Sequence, residues 1–286
     1  MNRRKVIKIL LVIICLVCLG VLGYRAYDLH VGHGSNEQAL DLAKIPELAP
    51  AGPNGTDDTA DAVDDSDPIS RTLAEMDLSA LQQVNPDVIG WIYIPNTVVS
   101  YPMLIGVDNQ EYLRHTWQKE YSTMGSIFLE CNSRPDLSDF NTIIYGHRMR
   151  DMSMFACLQY YNDKTYWAEH PSVYVVSDLG VYRYDIYASY ETSVRSPIYE
   201  LYVTDPVRKD EIIQFGLNNS VIDTGIVPTA EDQIVTLSTC PSRGTATRWI
   251  VQGVLTDVYP IGGAAAPDEV GDDTEAGAGT ALEPAA

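Results

Sequence analysis

Hydrophobic positions along the 286-residue chain fall into three regimes. The first is one continuous apolar run. From Ile9 to Tyr24 no residue is charged, and counting back to Val6 gives nineteen residues, close to the ~20 that a helix needs to cross ~30 Å of hydrocarbon. Arg3, Arg4 and Lys5 precede the run and only Arg25 follows it closely. That bias predicts a cytoplasmic N-terminus (1–5), a transmembrane anchor (6–24) and an extracellular remainder. A cleaved secretory signal would have a shorter apolar core ending in a small-x-small site. Gly20-Val21-Leu22-Gly23-Tyr24 is a poor one, so the segment reads as uncleaved and single-pass.

The second regime, residues 25–67, is poor in aromatics and rich in Asp, Gly, Pro and Ala, which predicts a disordered acidic linker with a coil span of about 35 Å. The third, residues 68–260, has the pattern of a folded domain. Asp67-Pro68 followed by Leu73, Met76, Leu81 and Val84 predicts one or two short helices, with Asp67 as the cap. From Val88 onward come eight short β-branched and aromatic runs: VIGWIYI, TVVSYPML, SIFLE, NTIIYGH, SVYVVS, VYRYDIYASY, QIVTLSTC and RWIVQGVL. Punctuated by Pro, Gly and Asn, they predict a mainly β domain with an antiparallel sheet closed into a barrel. Helical interruptions fit at Met152–Tyr161 and at Asp205–Leu217, where Val207, Ile212, Ile213 and Phe215 form an apolar stripe. Residues 261–286 read as a disordered acidic tail.

Charge sharpens this division. The net charge is −20, but the acids cluster between Glu37 and Asp67 and again between Asp268 and Glu283, so they describe solvated flanks and argue against nucleic acid as a partner. Cys15 and Cys18 lie inside the apolar run. Cys131, Cys157 and Cys240 are predicted outside, an odd number that leaves at least one thiol unpaired in an exported domain.

Period-two alternation puts Ile143, Tyr145 and His147 on one strand face, and Thr236, Ser238 and Cys240 on one face of another. Arg248 begins the strand after the cysteine. If those last two strands pair, the loop between them returns Arg248 close to Cys240, and the three groups meet at one barrel mouth. Such a set suits nucleophilic catalysis: a thiolate attacks, a histidine exchanges the proton, and a guanidinium stabilises an oxyanion. The competing reading is structural, since buried cysteines and strand-start arginines are common without any catalytic role. His30, His33, His115 and His170 lack paired metal-ligand spacing and read as surface or packing residues.

The stretch TLSTC (Thr236–Cys240) with Arg248 downstream, together with IIYGHRMRDMSMF (Ile143–Phe155), resembles the sortase family of cysteine transpeptidases, and specifically its class B. NPDVIGWIYIPNT, Tyr101-Pro102, DNQEYL and GSIFLE match that class in the same order, so the likeness runs from about Asn85 to Leu255. The resemblance implies an eight-stranded sortase-like barrel with added N-terminal helices and a helix between the sixth and seventh strands. It implies Cys240 as nucleophile, His147 as general acid/base and Arg248 as oxyanion stabiliser, with Tyr145, Ser238 and Thr239 lining a substrate groove. It further implies a membrane-anchored enzyme of a Gram-positive bacterium that cleaves an Asn-Pro-x-Thr-like C-terminal sorting motif on exported proteins and transfers the acyl group to a peptidoglycan amine. No metal or organic cofactor is implied. Arg148 and Pro241 depart from the pattern, standing where Asn and a polar residue are common, which bears on motif preference more than on chemistry. The alternatives are a pilin-polymerising or hydrolytic relative and, in another class, a non-catalytic surface-binding barrel.

Overall fold

The computed structural model of the chain describes residues 3–44, 67–239 and 246–261. Each of the eight apolar runs forms a strand. They are β1 (Val88–Tyr93), β2 (Ser100–Ile105), β3 (Ile127–Leu129), β4 (Asn141–Gly146), β5 (Ser172–Val176), β6 (Gly180–Ser193), β7 (Ile234–Thr239) and β8 (Thr247–Pro260). They close into a barrel in the order β1-β2-β3-β4-β7-β8-β6-β5. The sheet is mixed rather than antiparallel throughout: β2 with β3 and β4 with β7 run parallel. In each case the connection is long enough to return the chain to the same end of the barrel, as a parallel pair requires.

Alternation along the strands sorts side chains into two shells. Ile92, Met103, Ile127, Leu129, Ile144, Val175, Leu237 and Val251 fill the interior. The alternate positions face outward, where two covers bury them. Helices near the N-terminus lie over Trp91, Leu104 and Val176, and the helix between β6 and β7 lies over Tyr187, Tyr190 and Ile250.

The short helices start at aspartate caps, of which Asp67 is the one predicted from the sequence. Asp67 accepts the Ile69 amide at the head of α2 (Pro68–Leu73), and Asp77 accepts the Ser79 amide at α3 (Leu78–Val84). After the short α4 (Lys164–Glu169), Asp205 caps α5 (Pro206–Asn219) by accepting the Val207 amide. Side-chain oxygens thus satisfy amides that have no partner within the helix. The helix between the sixth and seventh strands is therefore present. Its apolar stripe is narrower than predicted, because Ile212 and Ile213 are buried while Val207 in the first turn is exposed. The predicted helix at Met152–Tyr161 is a 3-10 segment, Phe155–Asn162.

The N-terminal helix departs most from expectation. α1 runs unbroken from Arg3 to Ala43, so residues 25–43 are helix rather than disordered linker. Proline is absent from this stretch, and Asp28, Gly32, Ser35, Ala39 and Ala43 are buried at spacings of three and four, one face of a helix. That face packs on the domain. Trp117 donates its indole Nε1 to the Ser35 carbonyl at 2.7 Å, and the Thr123 amide donates to Asp28 at 3.1 Å. Tertiary contact supplies the stability that the polar composition lacks. The expected linker from residue 45 and the expected tail from residue 262 lie outside the described residues.

Candidate active site

Strands β4 and β7 pair in parallel with Tyr145 opposite Ser238 and Gly146 opposite Thr239. Because Ile144 and Leu237 point into the core, Tyr145 and Ser238 point outward. On the other side β3 pairs antiparallel with β4, placing Phe128 opposite Tyr145. A cleft of about 300 Å³ opens over this outer face. Tyr145, His147, Ser238, Thr239 and Arg248, five of the six residues singled out from the sequence, line it together. The sixth, Cys240, lies outside the described residues. The cleft is on the outer wall of the barrel near the strand ends rather than in its mouth, since the interior is filled by side chains.

Gly146 directs β4 past the core just before His147. A Cβ there would fall 2.5 Å from Ile127 Cδ1 and 2.6 Å from Phe155 Cδ2, so a side chain would displace the strand end. The His147 ring is half-buried, and its Nε2 lies 2.7 Å from the Leu113 carbonyl. A carbonyl only accepts, so Nε2 carries a proton and Nδ1 is the nitrogen that gains or loses one in any acid/base step. Arg248 sits at the start of β8 opposite Thr192 of β6, with Nη1 donating to the Thr247 carbonyl at 2.8 Å.

The floor of the cleft is a network that the sequence did not disclose. Glu130, only 6% exposed, accepts from Asn109 Nδ2 at 2.6 Å, Asn132 Nδ2 at 3.0 Å and the Tyr145 hydroxyl at 3.0 Å. Several donors offset the cost of burying a carboxylate. Burial, reinforced by this carboxylate, drives the Tyr145 phenol well above its usual pKa and keeps it a donor. The Tyr145 ring stacks on Tyr199 with an interplanar angle of 7°, and the Tyr199 hydroxyl shares a hydrogen bond with Ser238 Oγ at 2.9 Å. Thr239 Oγ1 is buried without a hydrogen-bond partner among the described residues. Glu130 closes the GSIFLE motif, but its burial and its partners Asn109, Asn132 and Tyr145 are set by the fold. Nothing local marked Tyr199, which reaches the cleft from the turn after β6.

Comparison with known proteins decides what this cleft belongs to. The Sortase domain family matches residues 92–256, more than half of the chain and all but the outermost part of the barrel. The chain belongs to the sortase family. Its relatives include Sortase B of Listeria monocytogenes, 36% identical over 181 residues that cover 63% of this chain and 74% of that one. They also include Sortase B of Staphylococcus aureus, 30% identical over 165 residues covering 56% and 66%. A solved Staphylococcus aureus sortase B–substrate complex superposes with a TM-score of 0.60 at 27% identity, covering 63% of this chain and 84% of that one. The chain is thus a class B sortase, a cysteine transpeptidase built on an eight-stranded barrel. Its long apolar α1 is a candidate membrane anchor.

Proposed function

We propose that this sortase cleaves an Asn-Pro-x-Thr-like sorting motif on exported proteins through a thioester on Cys240 and passes the acyl group to a peptidoglycan amine. The observation that carries the assignment is the cleft in which Tyr145, His147, Ser238, Thr239 and Arg248 converge on the end of β7, one residue before Cys240.

In this scheme the Cys240 thiolate attacks the threonine carbonyl carbon, and the negative charge that develops on its oxygen is met by the Arg248 guanidinium. Collapse breaks the peptide C–N bond while His147 gives its proton to the departing amine. The leaving peptide diffuses out, and the acyl group stays on sulfur. An incoming amine then attacks the thioester, returns a proton to His147 and restores the thiolate. Parallel pairing of β4 and β7 supports this geometry, because His147 and Cys240 each follow the last paired residues, Gly146 and Thr239. The aromatic floor of Phe128, Tyr145 and Tyr199 suits an extended peptide containing proline.

The domain works outside the cell, held by α1 with its N-terminus in the cytoplasm, because three cationic residues precede the apolar stretch and one follows it closely. The full chain in detergent, given fluorogenic Asn-Pro-x-Thr peptides with and without an amine acceptor, tests the assignment. Amine-dependent ligation product is expected. Equal product with and without acceptor would instead favour hydrolysis.

A further inference from the structure

A second cleft, of about 900 Å³, separates the outer turns of α1 from the loop that follows His147. Its lower wall is Gly20 and Val21, in the stretch of α1 whose large apolar side chains from Ile9 to Leu22 are all at least half exposed. Gly20 adds no side chain to this wall, and apart from neighbouring helix backbone no described atom lies within 4 Å of where a Cβ would stand, which leaves open space beside it. The upper wall carries Arg25 from the helix and Arg148 and Arg150 from the loop, with Met149 between them. Exposed Tyr24 and Tyr27 flank this level, where aromatic residues favour the boundary between hydrocarbon and water.

We propose that this cleft binds an anionic phospholipid of the membrane that α1 spans, its phosphate among Arg25, Arg148 and Arg150 and an acyl chain along Gly20 and Val21. The inference rests on the reading of α1 as an anchor. The cleft's two acids are engaged elsewhere: Asp28 accepts from the Thr123 amide and hydroxyl, and Asp151 pairs with His33 at 2.8 Å and accepts from Ser153. The lining thus holds three guanidinium groups, that of Arg148 also donating to Gln159, against two carboxylates, a local cationic excess in a chain of net charge −20. A soluble phosphate would satisfy the upper wall but not the apolar slot below it; a lipid fits both, and its chain continues into the bilayer. The site also touches the chemistry. Arg148 directly follows His147, and the Phe155 amide donates to the His147 carbonyl at 2.9 Å, so the loop is closed on the histidine backbone.

The test is hydrogen exchange of the amides of residues 148–151 in the full chain, reconstituted in nanodiscs of phosphatidylcholine alone or of an equal mixture with phosphatidylglycerol. Exchange is expected to slow roughly threefold or more in the mixture, and Arg25→Gln/Arg150→Gln, both exposed positions, should remove the difference while protection of the barrel strands is kept. Equal exchange in the two discs, or a difference that survives the double substitution, would overturn the lipid site and leave the anchor standing. Equal slowing by inorganic phosphate in neutral discs would assign the cleft to a free anion and likewise overturn it. Failure of the chain to enter either disc would overturn the anchor and the site together.

Discussion

The Tyr145 hydroxyl donates to the Glu130 carboxylate at 3.0 Å, joining β4 to the end of β3 beneath the cleft that His147 borders. A hydrogen bond to a charged acceptor contributes about 1.5–3 kcal/mol. Tyr145→Phe should therefore lower stability by about 2 kcal/mol in urea denaturation, and Glu130→Gln should weaken the effect of the second substitution when the two are combined. Strict additivity would mean that the two side chains act separately.

Arg248→Lys keeps the charge but loses the planar fork of donors. Turnover should fall by about 10²-fold, the effect of losing one oxyanion donor, with the thermal midpoint unchanged. Near-normal turnover would remove Arg248 from the chemistry.

Burial pushes the Cys157 thiol up to about 11. An unfolded cysteine ionises near 8.5, so between those values the unfolded chain releases a proton that the folded chain keeps. This contribution to stability is complete below about pH 8.5 and is lost as pH rises towards 11, at up to about 1.4 kcal/mol per pH unit. Urea midpoints measured from pH 7.5 to 10 should decline more steeply for the native chain than for Cys157→Ala. Parallel slopes would contradict the assignment. Among the described residues Cys131 and Cys157 are both free thiols, so Cys157→Ala removes no disulfide there.

The outer half of α1 is part of the catalytic domain's packing. A Cβ at Gly32 would lie 2.9 Å from Met124 Sδ and 3.0 Å from Ser122 Oγ. Gly32→Leu should lift the helix from this surface, break the bond between Trp117 and Ser35, and cost about 1–3 kcal/mol. A fall in thermal midpoint of roughly 2–4 °C per kcal/mol, with altered tryptophan fluorescence, is expected. An unchanged midpoint would show that the helix does not support the domain.

All eight strands were legible because each is a short apolar run bounded by turn residues, Asp67 announced its helix as a cap, and an apolar stripe announced α5. Strand direction was not legible, because a period of two is the same in parallel and antiparallel pairs; the registers of β2 against β3 and of β4 against β7 reveal it. The docking face of α1 escaped notice for a different reason. Asp28, Gly32, Ser35, Ala39 and Ala43 are small or polar, so their spacing carries no hydrophobic signal. The candidate site was legible only as motif positions: Tyr145, His147, Ser238, Thr239 and Arg248, named from the sequence, line one cleft. It was illegible at Glu130 and Tyr199, whose contacts depend on distant segments meeting.

Turnover through a thioester on the sulfur of Cys240 leaves a covalent trace. Intact-mass analysis of the full chain, incubated with an Asn-Pro-x-Thr peptide and no amine acceptor, should reveal an adduct equal to the acyl fragment, mapped to Cys240, discharged by added amine and absent from Cys240→Ala. An adduct on any other residue, or cleavage of the peptide by Cys240→Ala at the native rate, would contradict it.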